Sequence, residues 1–243
     1  MNRIENPAKP TAVRASSAIS VESALYSTSH DSACSLFGPL HYEPNYAYPL
    51  IVWLHGPGDD ERQLLRIITM ISTRNYVAVA PRGLLVHQPD EPDRRGWPQS
   101  AEHIHEAEQR IAECVETAGR QYHVASKRVF LAGFDAGGTM AFRVAMTHPQ
   151  RFAGVISLGG ACPRGHSPLA QFEQIRRLSM FLAVGRDSVT YSPEMACNDL
   201  RLFHSAGISI TLRQYPCGQQ LAPQMLRDMD RWIIDEITGR VTD

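Results

Sequence analysis

The segment Val129–Gly138, which reads VFLAGFDAGG, determines how the rest of this 243-residue sequence is interpreted. Its first four residues form an apolar run that predicts a buried strand, and the residues from Gly137 to His148 have the apolar spacing of a helix. Between the two elements, Asp135 stands at the centre of a Gly-x-Asp-x-Gly turn. Glycines allow a strand to turn sharply into a helix because they let two backbones approach closely. The turn therefore predicts that the Asp135 side chain projects beyond the end of a strand.

Short apolar runs alternate with helical patterns on both sides of this segment. The predicted strands are Pro49–His55, Tyr76–Ala80, Gly154–Leu158, Met180–Val184 and Ile208–Tyr215. The predicted helices are Glu61–Thr73, Ala101–Tyr122, Ser192–Ala206 and Leu221–Thr238. This alternation predicts an α/β fold with a mostly parallel central sheet and helices on both faces. Ligands of such sheets bind beyond the C-terminal ends of the strands, so we expect the functional residues there.

The N-terminal region and one long connection have weaker patterns. Residues 22–44 contain two weak strand candidates around the turn Phe37-Gly38-Pro39, and they predict an edge hairpin. The residues between Pro81 and Ala101 are rich in Pro and Gly and predict a loop. Residues 1–20 are polar and Ser-rich, so we predict a disordered segment there, followed by a single domain over residues 21–243.

Composition and charge exclude several classes of function. The formal net charge of −1 provides no attraction for nucleic acid, which we therefore do not expect as a partner. No apolar run approaches the roughly 20 residues of a membrane span. The N-terminus lacks the apolar core of a signal peptide, and the five cysteines are scattered without paired spacing, which predicts a cytoplasmic protein with reduced thiols. Neither a cofactor nor a metal site is expected, and a homodimer is left open.

Further motifs accompany the Gly-x-Asp-x-Gly turn in a fixed order along the chain. They are Leu54-His55-Gly56-Pro57-Gly58-Asp59, Pro81-Arg82-Gly83, Gly96-Trp97, Gly185-Arg186-Asp187 and Tyr215-Pro216-Cys217-Gly218. Over about residues 48–238 this series resembles the phospholipase/carboxylesterase family of α/β-hydrolases, the group that includes the acyl-protein thioesterases. The resemblance implies an α/β-hydrolase fold, action on carboxylic esters, and a nucleophile elbow at the Gly-x-Asp-x-Gly turn.

The resemblance also implies where the catalytic triad should lie. Asp135 stands where the family has its nucleophilic serine, Asp187 where it has the triad acid, and Gln219 where it has the general-base histidine. We expect Gln219 to bridge the two carboxylates, one of which would have a raised pKa because the two charges repel each other. The sequence therefore predicts a degenerate triad, with the nucleophile and the base both replaced.

Two other features of the site follow from the resemblance. The oxyanion hole is implied at the backbone of Pro57 and Ala136, and Pro57 has no N–H to donate. Contacts with substrate are implied for His55, Gly56 and Trp97, the last as a lining of the acyl groove.

Three interpretations of these replacements are open. The preferred one is a pseudo-esterase that keeps a pocket for a small ester or acyl group, because an amide at Gln219 cannot shuttle protons. The alternative is an active hydrolase in which Asp135 takes part in non-standard chemistry, since a carboxylate needs no base to become nucleophilic. The third is an active serine esterase, which would need a serine outside the elbow, and the chain has no Gly-x-Ser-x-Gly. For Asp135 itself, the structural alternative is that it only caps the following helix. Of the other histidines, only His166 is kept as a candidate base, because it lies in a loop beyond a strand.

Overall fold

The computed structural model describes residues 26–27, 34–88, 91–166 and 171–239. Its strands are β1 (Tyr26–Ser27), β2 (Cys34–Phe37), β3 (Tyr48–Leu54), β4 (Val77–Pro81), β5 (Leu84–Gln88), β6 (Glu91–Gly96), β7 (Val124–Phe134), β8 (Gly154–Leu158), β9 (Ser179–Gly185) and β10 (Thr211–Tyr215). Its α-helices are α1 (Gln63–Ile71), α2 (Ala101–Gln121), α3 (Ala136–Thr147), α4 (Phe172–Ile175), α5 (Pro193–Ser205) and α6 (Pro223–Gly239). The predicted segment 1–20 lies outside the described residues.

Eight strands form one sheet in the order β1-β2-β4-β3-β7-β8-β9-β10. From β4 to β10 every neighbouring pair runs parallel. At the other edge, β2 runs antiparallel to both of its neighbours, β1 and β4. Two apolar clusters cover the sheet: residues of α2, α3 and α5 belong to one, and residues of α1 and α6 to the other. The predicted α/β fold, with a mostly parallel sheet and helices on both faces, is confirmed.

Strand β3 shows why the sheet lies at the centre of the protein. All seven of its residues are buried. Leu50, Val52 and Leu54 belong to the cluster beneath α2, α3 and α5. Ile51 and Trp53 belong to the cluster beneath α1 and α6. Because successive side chains of a strand point to opposite faces, an unbroken apolar run is required in a strand that is covered on both sides.

Two predictions about the irregular regions are wrong. The antiparallel pair at the edge is β1 with β2, and β2 ends at Phe37, so the turn Phe37-Gly38-Pro39 follows this pair instead of connecting its strands. That turn leads out of the sheet, and a Cβ on Gly38 would lie 2.3 Å from the hydroxyl of Tyr122. The predicted loop between Pro81 and Ala101 contains the antiparallel pair β5 and β6. Strand β6 has the sequence EPDRRG, which lacks the apolar alternation from which strands are predicted.

None of the helices among the described residues is long and apolar enough to cross a membrane. A cavity of about 320 Å³ lies between Tyr48, Arg74 and Ile237. Tyr48 begins β3, so this cavity lies at the N-terminal edge of the parallel strands. The Gly-x-Asp-x-Gly turn follows the C-terminal end of β7 and lies at the opposite edge.

Candidate active site

A single residue, Asp135, makes the turn from the central strand into a helix. Strand β7 ends at Phe134 and α3 begins at Ala136. Asp135 has φ 51° and ψ −121°, a backbone conformation that is uncommon for a residue with a side chain and costs about 1–3 kcal/mol. Its N–H donates to the carbonyl oxygen of Leu158 at 2.9 Å, which helps to hold the turn. The strained turn places the carboxylate at the C-terminal edge of the sheet.

The two glycines of the turn are explained by close backbone packing. A Cβ on Gly133 would lie 2.4 Å from the carbonyl oxygen of Gly137. A Cβ on Gly137 would lie 2.3 Å from the carbonyl oxygen of Leu54 and 2.5 Å from that of His55. The first turn of α3 therefore lies directly on the backbone that follows β3. This contact brings the elbow next to the loop that carries Pro57.

Gln219 is bound to the elbow through its side chain. Its Nε2 donates to Oδ2 of Asp135 at 2.6 Å and to the carbonyl oxygen of Gly159 at 2.8 Å. Its Oε1 accepts a hydrogen bond from Oγ of Ser188 at 2.6 Å. Both N–H groups and the oxygen of the Gln219 amide thus form hydrogen bonds. Because the Asp135 carboxylate and the Gly159 carbonyl can only accept, the NH₂ group of the amide must be the end that faces them. The structure brings positions 135 and 219 together, as predicted.

The predicted bridge from Asp135 through Gln219 to Asp187 is wrong. The Asp187 side chain is 58% exposed and is paired with Arg186, whose Nε and Nη2 donate to its two oxygens at 3.1 and 3.2 Å. This guanidinium holds the pKa of Asp187 below its usual range, whereas the sequence had suggested a raised value for one of the two carboxylates. Gln219 instead connects Asp135 with Ser188, which is not among the residues of the predicted triad.

The capping role of Asp135 is also corrected. In the described chain its side chain makes no hydrogen bond to the N-terminal N–H groups of α3. The bond from Gln219 takes up Oδ2 instead. The carboxylate therefore lies at the start of α3 without capping it.

His55 and Trp97 support the loop beneath the site, and the predicted substrate contacts of these two side chains are corrected accordingly. His55 is fully buried, and its Nδ1 donates to the carbonyl oxygen of Gly56 at 2.8 Å while its Nε2 accepts the N–H of Gly83 at 3.0 Å. These two bonds require the neutral ring with its proton on Nδ1, and burial lowers the pKa of His55. Trp97 is 3% exposed and donates from its indole N–H to the carbonyl oxygen of His55 at 2.9 Å.

The two predicted oxyanion positions lie in neighbouring segments. Ala136 is the first residue of α3, so its N–H has no acceptor within the helix and is directed out of the helix end. Pro57 is exposed and follows Gly56, where a Cβ would lie 2.4 Å from the ring of Phe134 at the end of β7. The site therefore provides one backbone donor at Ala136, while Pro57 has none to provide.

An ion pair holds the end of the Pro57 loop. Glu61 is 4% exposed, and its Oε1 accepts hydrogen bonds from Nε and Nη2 of Arg82 at 2.9 and 2.7 Å. Its other oxygen, Oε2, is buried and has no hydrogen-bond partner among the described residues. Burial raises the pKa of Glu61, but the hydrogen bonds and charge of Arg82, together with a backbone hydrogen bond and the charge of Arg62, lower it overall.

We expect Arg82→Met to destabilise the protein by about 1–3 kcal/mol at neutral pH, because it leaves a buried carboxylate without its partner. The pair lowers the folded-state pKa of Glu61, so its contribution is present above the unfolded-state pKa of about 4.3 and is lost as the pH falls through the folded-state value. The difference from wild type should therefore shrink near pH 4, as measured by urea denaturation. Arg227→Met, at an exposed position of α6, is the control and should change little. An equal loss for both variants would contradict this role of Arg82.

Among the described residues, neither the buried thiols of Cys162 and Cys217 nor His166 is hydrogen-bonded to the side chains of Asp135 and Gln219. Burial raises the pKa of Cys162 to about 12 and also raises that of Cys217. All five cysteines are free. His166 is exposed in the segment after β8. Among the described residues, no three His, Cys, Asp or Glu side chains are grouped so that they could hold a metal ion.

Residues 43–236 match the model of the phospholipase/carboxylesterase family, and the chain belongs to that family. Among solved structures, it is similar to SOBER1 of Arabidopsis thaliana, with 20% identity, a TM-score of 0.68, and coverage of 79% of this chain and 100% of that one. A carboxylesterase from Mesorhizobium loti has 17% identity and a TM-score of 0.68, and the match covers 86% of this chain and 99% of that one. The carboxylesterase of Bacillus cereus has 16% identity and a TM-score of 0.65, with 84% and 93% covered. At these identities, the structures show a shared fold.

Proposed function

We propose that this member of the phospholipase/carboxylesterase family is a pseudo-esterase, which keeps the fold of the hydrolases and has lost their serine chemistry. One observation carries the proposal: Nε2 of Gln219 donates a hydrogen bond to the Asp135 carboxylate at 2.6 Å. In an esterase, the residue at this position must accept a proton from the nucleophile and return it to the leaving group. An amide N–H that is already donating can do neither.

Charge at the elbow opposes ester hydrolysis as well. Attack on an ester produces an oxyanion, which these enzymes stabilise with backbone N–H groups. Here the Asp135 carboxylate would face that developing negative charge and repel it. The loss of a donor at Pro57 would cost a further factor of about 10²–10³ in rate. Base, nucleophile and oxyanion hole are thus changed together.

The partly buried carboxylate of Asp135 supports a second candidate function, a hydrolase in which Asp135 is itself the nucleophile. Such an enzyme would need a base to activate water for the second step, and Gln219 cannot supply it. We therefore expect a reactive epoxide or haloalkane to leave at most one stable adduct on Asp135. Peptide mass spectrometry that finds adducts only on cysteines would remove this candidate.

The ligand that we propose is a small ester or an acyl group, held over the C-terminal ends of the strands between the elbow and the Pro57 loop. Gly56 directly precedes Pro57 in that loop, and Ala136 begins α3 directly after the elbow. A cytoplasmic location and a homodimer remain predictions from the sequence.

The experiment that tests the pseudo-esterase proposal is labelling with a fluorophosphonate probe, which reacts with activated serine nucleophiles. We expect no labelling above that of the heat-denatured protein, because the elbow presents a carboxylate and no base. Asp135→Ala is the matched variant and should give the same background. Stoichiometric labelling of the wild type, abolished by Asp135→Ala or traced to any serine by mass spectrometry, would overturn the proposal.

A further inference from the structure

The side chain that orients Gln219 belongs to Ser188. Ser188 is 5% exposed, and its Oγ donates to Oε1 of Gln219 at 2.6 Å while accepting the N–H of Tyr191 at 3.1 Å. The hydroxyl is therefore held from one side and directed at residue 219 on the other. No other side chain among the described residues donates to that amide oxygen.

The Nε2 atom of glutamine lies as many bonds from Cα as the Nε2 atom of histidine, and each side chain presents a second polar atom to a different neighbour. Its Nε2 corresponds to Nε2 of a histidine, the atom that serves the nucleophile, and its Oε1 corresponds to Nδ1, the atom that a triad acid orients. Asp135 lies on the first side and Ser188 on the second. The hydrogen bonds thus run from the nucleophile position at Asp135 to the base position at Gln219, and from there to the orienting position at Ser188.

Asp187 is held away from this line of hydrogen bonds by the loop after β9. The N–H of Asp187 donates to the carbonyl oxygen of Cys217 at 2.9 Å, and a Cβ on Gly185 would lie 2.3 Å from the carbonyl oxygen of Gly218. The backbone of residues 185–187 therefore lies directly on the segment before Gln219. This packing leaves the Asp187 side chain in solvent with Arg186.

We propose that residue 188 occupies the orienting position of the site, so that Ser188 has replaced the triad acid and all three triad positions are substituted. The inference rests on the proposed function, and it extends the loss from two residues to three. Ser188 acts here as a positioning residue, since it reaches Asp135 only through Gln219. Asp187 forms part of a surface ion pair.

The test uses Gln219→His as a reporter of its neighbours, with the pKa of the introduced imidazole measured by NMR. Adding Ser188→Asp should raise that pKa by about one unit or more, because a carboxylate would then face the ring within hydrogen-bonding distance. Adding Asp187→Asn should change it by less than about 0.3 unit, because an exposed charge is screened by solvent. Asp135 contacts residue 219, and Asp187 and Arg186 lie in the adjacent loop; all three are retained when Ser188 alone is changed, so their charges act equally on both pKa values.

The proposal is overturned if Asp187→Asn lowers the imidazole pKa by one unit or if Ser188→Asp leaves it unchanged. A second measurement covers the case in which a carboxylate at residue 188 prevents folding. In the wild-type background, Ser188→Ala should shift the side-chain amide resonances of Gln219, and Asp187→Asn should not. The reverse pattern would contradict the assignment, whereas the absence of fluorophosphonate labelling would stand independently of either result.

Discussion

Combining Asp135→Ser, Gln219→His and Ser188→Asp should convert the protein into an esterase, with kcat/KM on a short p-nitrophenyl ester at least about 10³-fold above wild type. A complete triad contributes about 10⁶-fold to kcat in serine hydrolases, and an engineered one is expected to recover part of this. The elbow already has the strained backbone that a nucleophile requires, and Gln219 already points its Nε2 at residue 135. What the site lacks is the chemistry of three side chains.

The controls for this experiment separate the contributions of the three positions. Each single substitution should leave activity near background, because the members of a triad act as a unit. Asp135→Ser with Gln219→His should be weaker than the triple variant, since Ser188 orients an imidazole without stabilising its charge. Adding Pro57→Leu to the triple variant should raise the rate by up to about 10²–10³, the usual value of one oxyanion donor. A folded triple variant that remains at background would show that the positions are wrongly assigned.

Gly137→Ala should destabilise the protein by about 3 kcal/mol or more. The added Cβ would lie 2.3 Å from the carbonyl oxygen of Leu54 and 2.5 Å from that of His55. These buried backbone atoms at the end of β3 cannot move away as a flexible side chain could. Urea denaturation followed by circular dichroism measures the loss. Gly119→Ala is the matched control, because Gly119 is an exposed position within α2 where a Cβ meets nothing within 4 Å.

We expect Gly119→Ala to stabilise the protein by about 0.5–1 kcal/mol, since alanine is the better helix former. The two substitutions add the same methyl group, so their opposite signs would arise from the space at each site. A change of less than about 1 kcal/mol for Gly137→Ala would contradict the close contact between α3 and the backbone after β3.

The central part of the fold was predictable because its strands are buried on both faces. Strands such as β3 must be apolar at every position, and that leaves a continuous run in the sequence. Strands β5 and β6 form a small separate sheet. Strand β5 has only three apolar residues, Leu84–Val86, and part of β6 is exposed and charged, so neither strand has a long apolar run. The first residues of β7, Val124–Arg128, escaped prediction for the same reason, because they are partly exposed and include Lys127.

The parts of the site in which backbone geometry requires a particular residue type could be predicted from the sequence. The parts that depend on which way a side chain points could not. The spacing of Gly133 and Gly137 predicts the elbow because each position excludes a Cβ. Asp187 and Ser188 are adjacent polar residues, and nothing in the sequence distinguishes the one that points inward. Their directions depend on how the loop after β9 packs on the backbone of Cys217 and Gly218, which lie thirty positions away in the sequence.

The direction of the His55 side chain could not be predicted from the sequence either. Its place in the His-Gly motif suggested contact with a substrate, but the ring lies beneath the loop and both of its nitrogens are bonded to the backbone. A buried histidine with two backbone partners cannot be told from an exposed one by its sequence neighbours. The His-Gly motif therefore predicts the position of the loop, but it does not predict the role of the histidine side chain.

The most direct test of the account is steady-state hydrolysis of p-nitrophenyl acetate and butyrate by the wild-type protein and by Asp135→Ala, with folding checked by circular dichroism. Gln219 donates to the Asp135 carboxylate and cannot act as a base, so we predict rates for both proteins that do not differ from the uncatalysed reaction. A wild-type kcat above about 1 s⁻¹, within the usual range of enzymes, that is abolished by Asp135→Ala would contradict the claim that this site has lost its esterase chemistry.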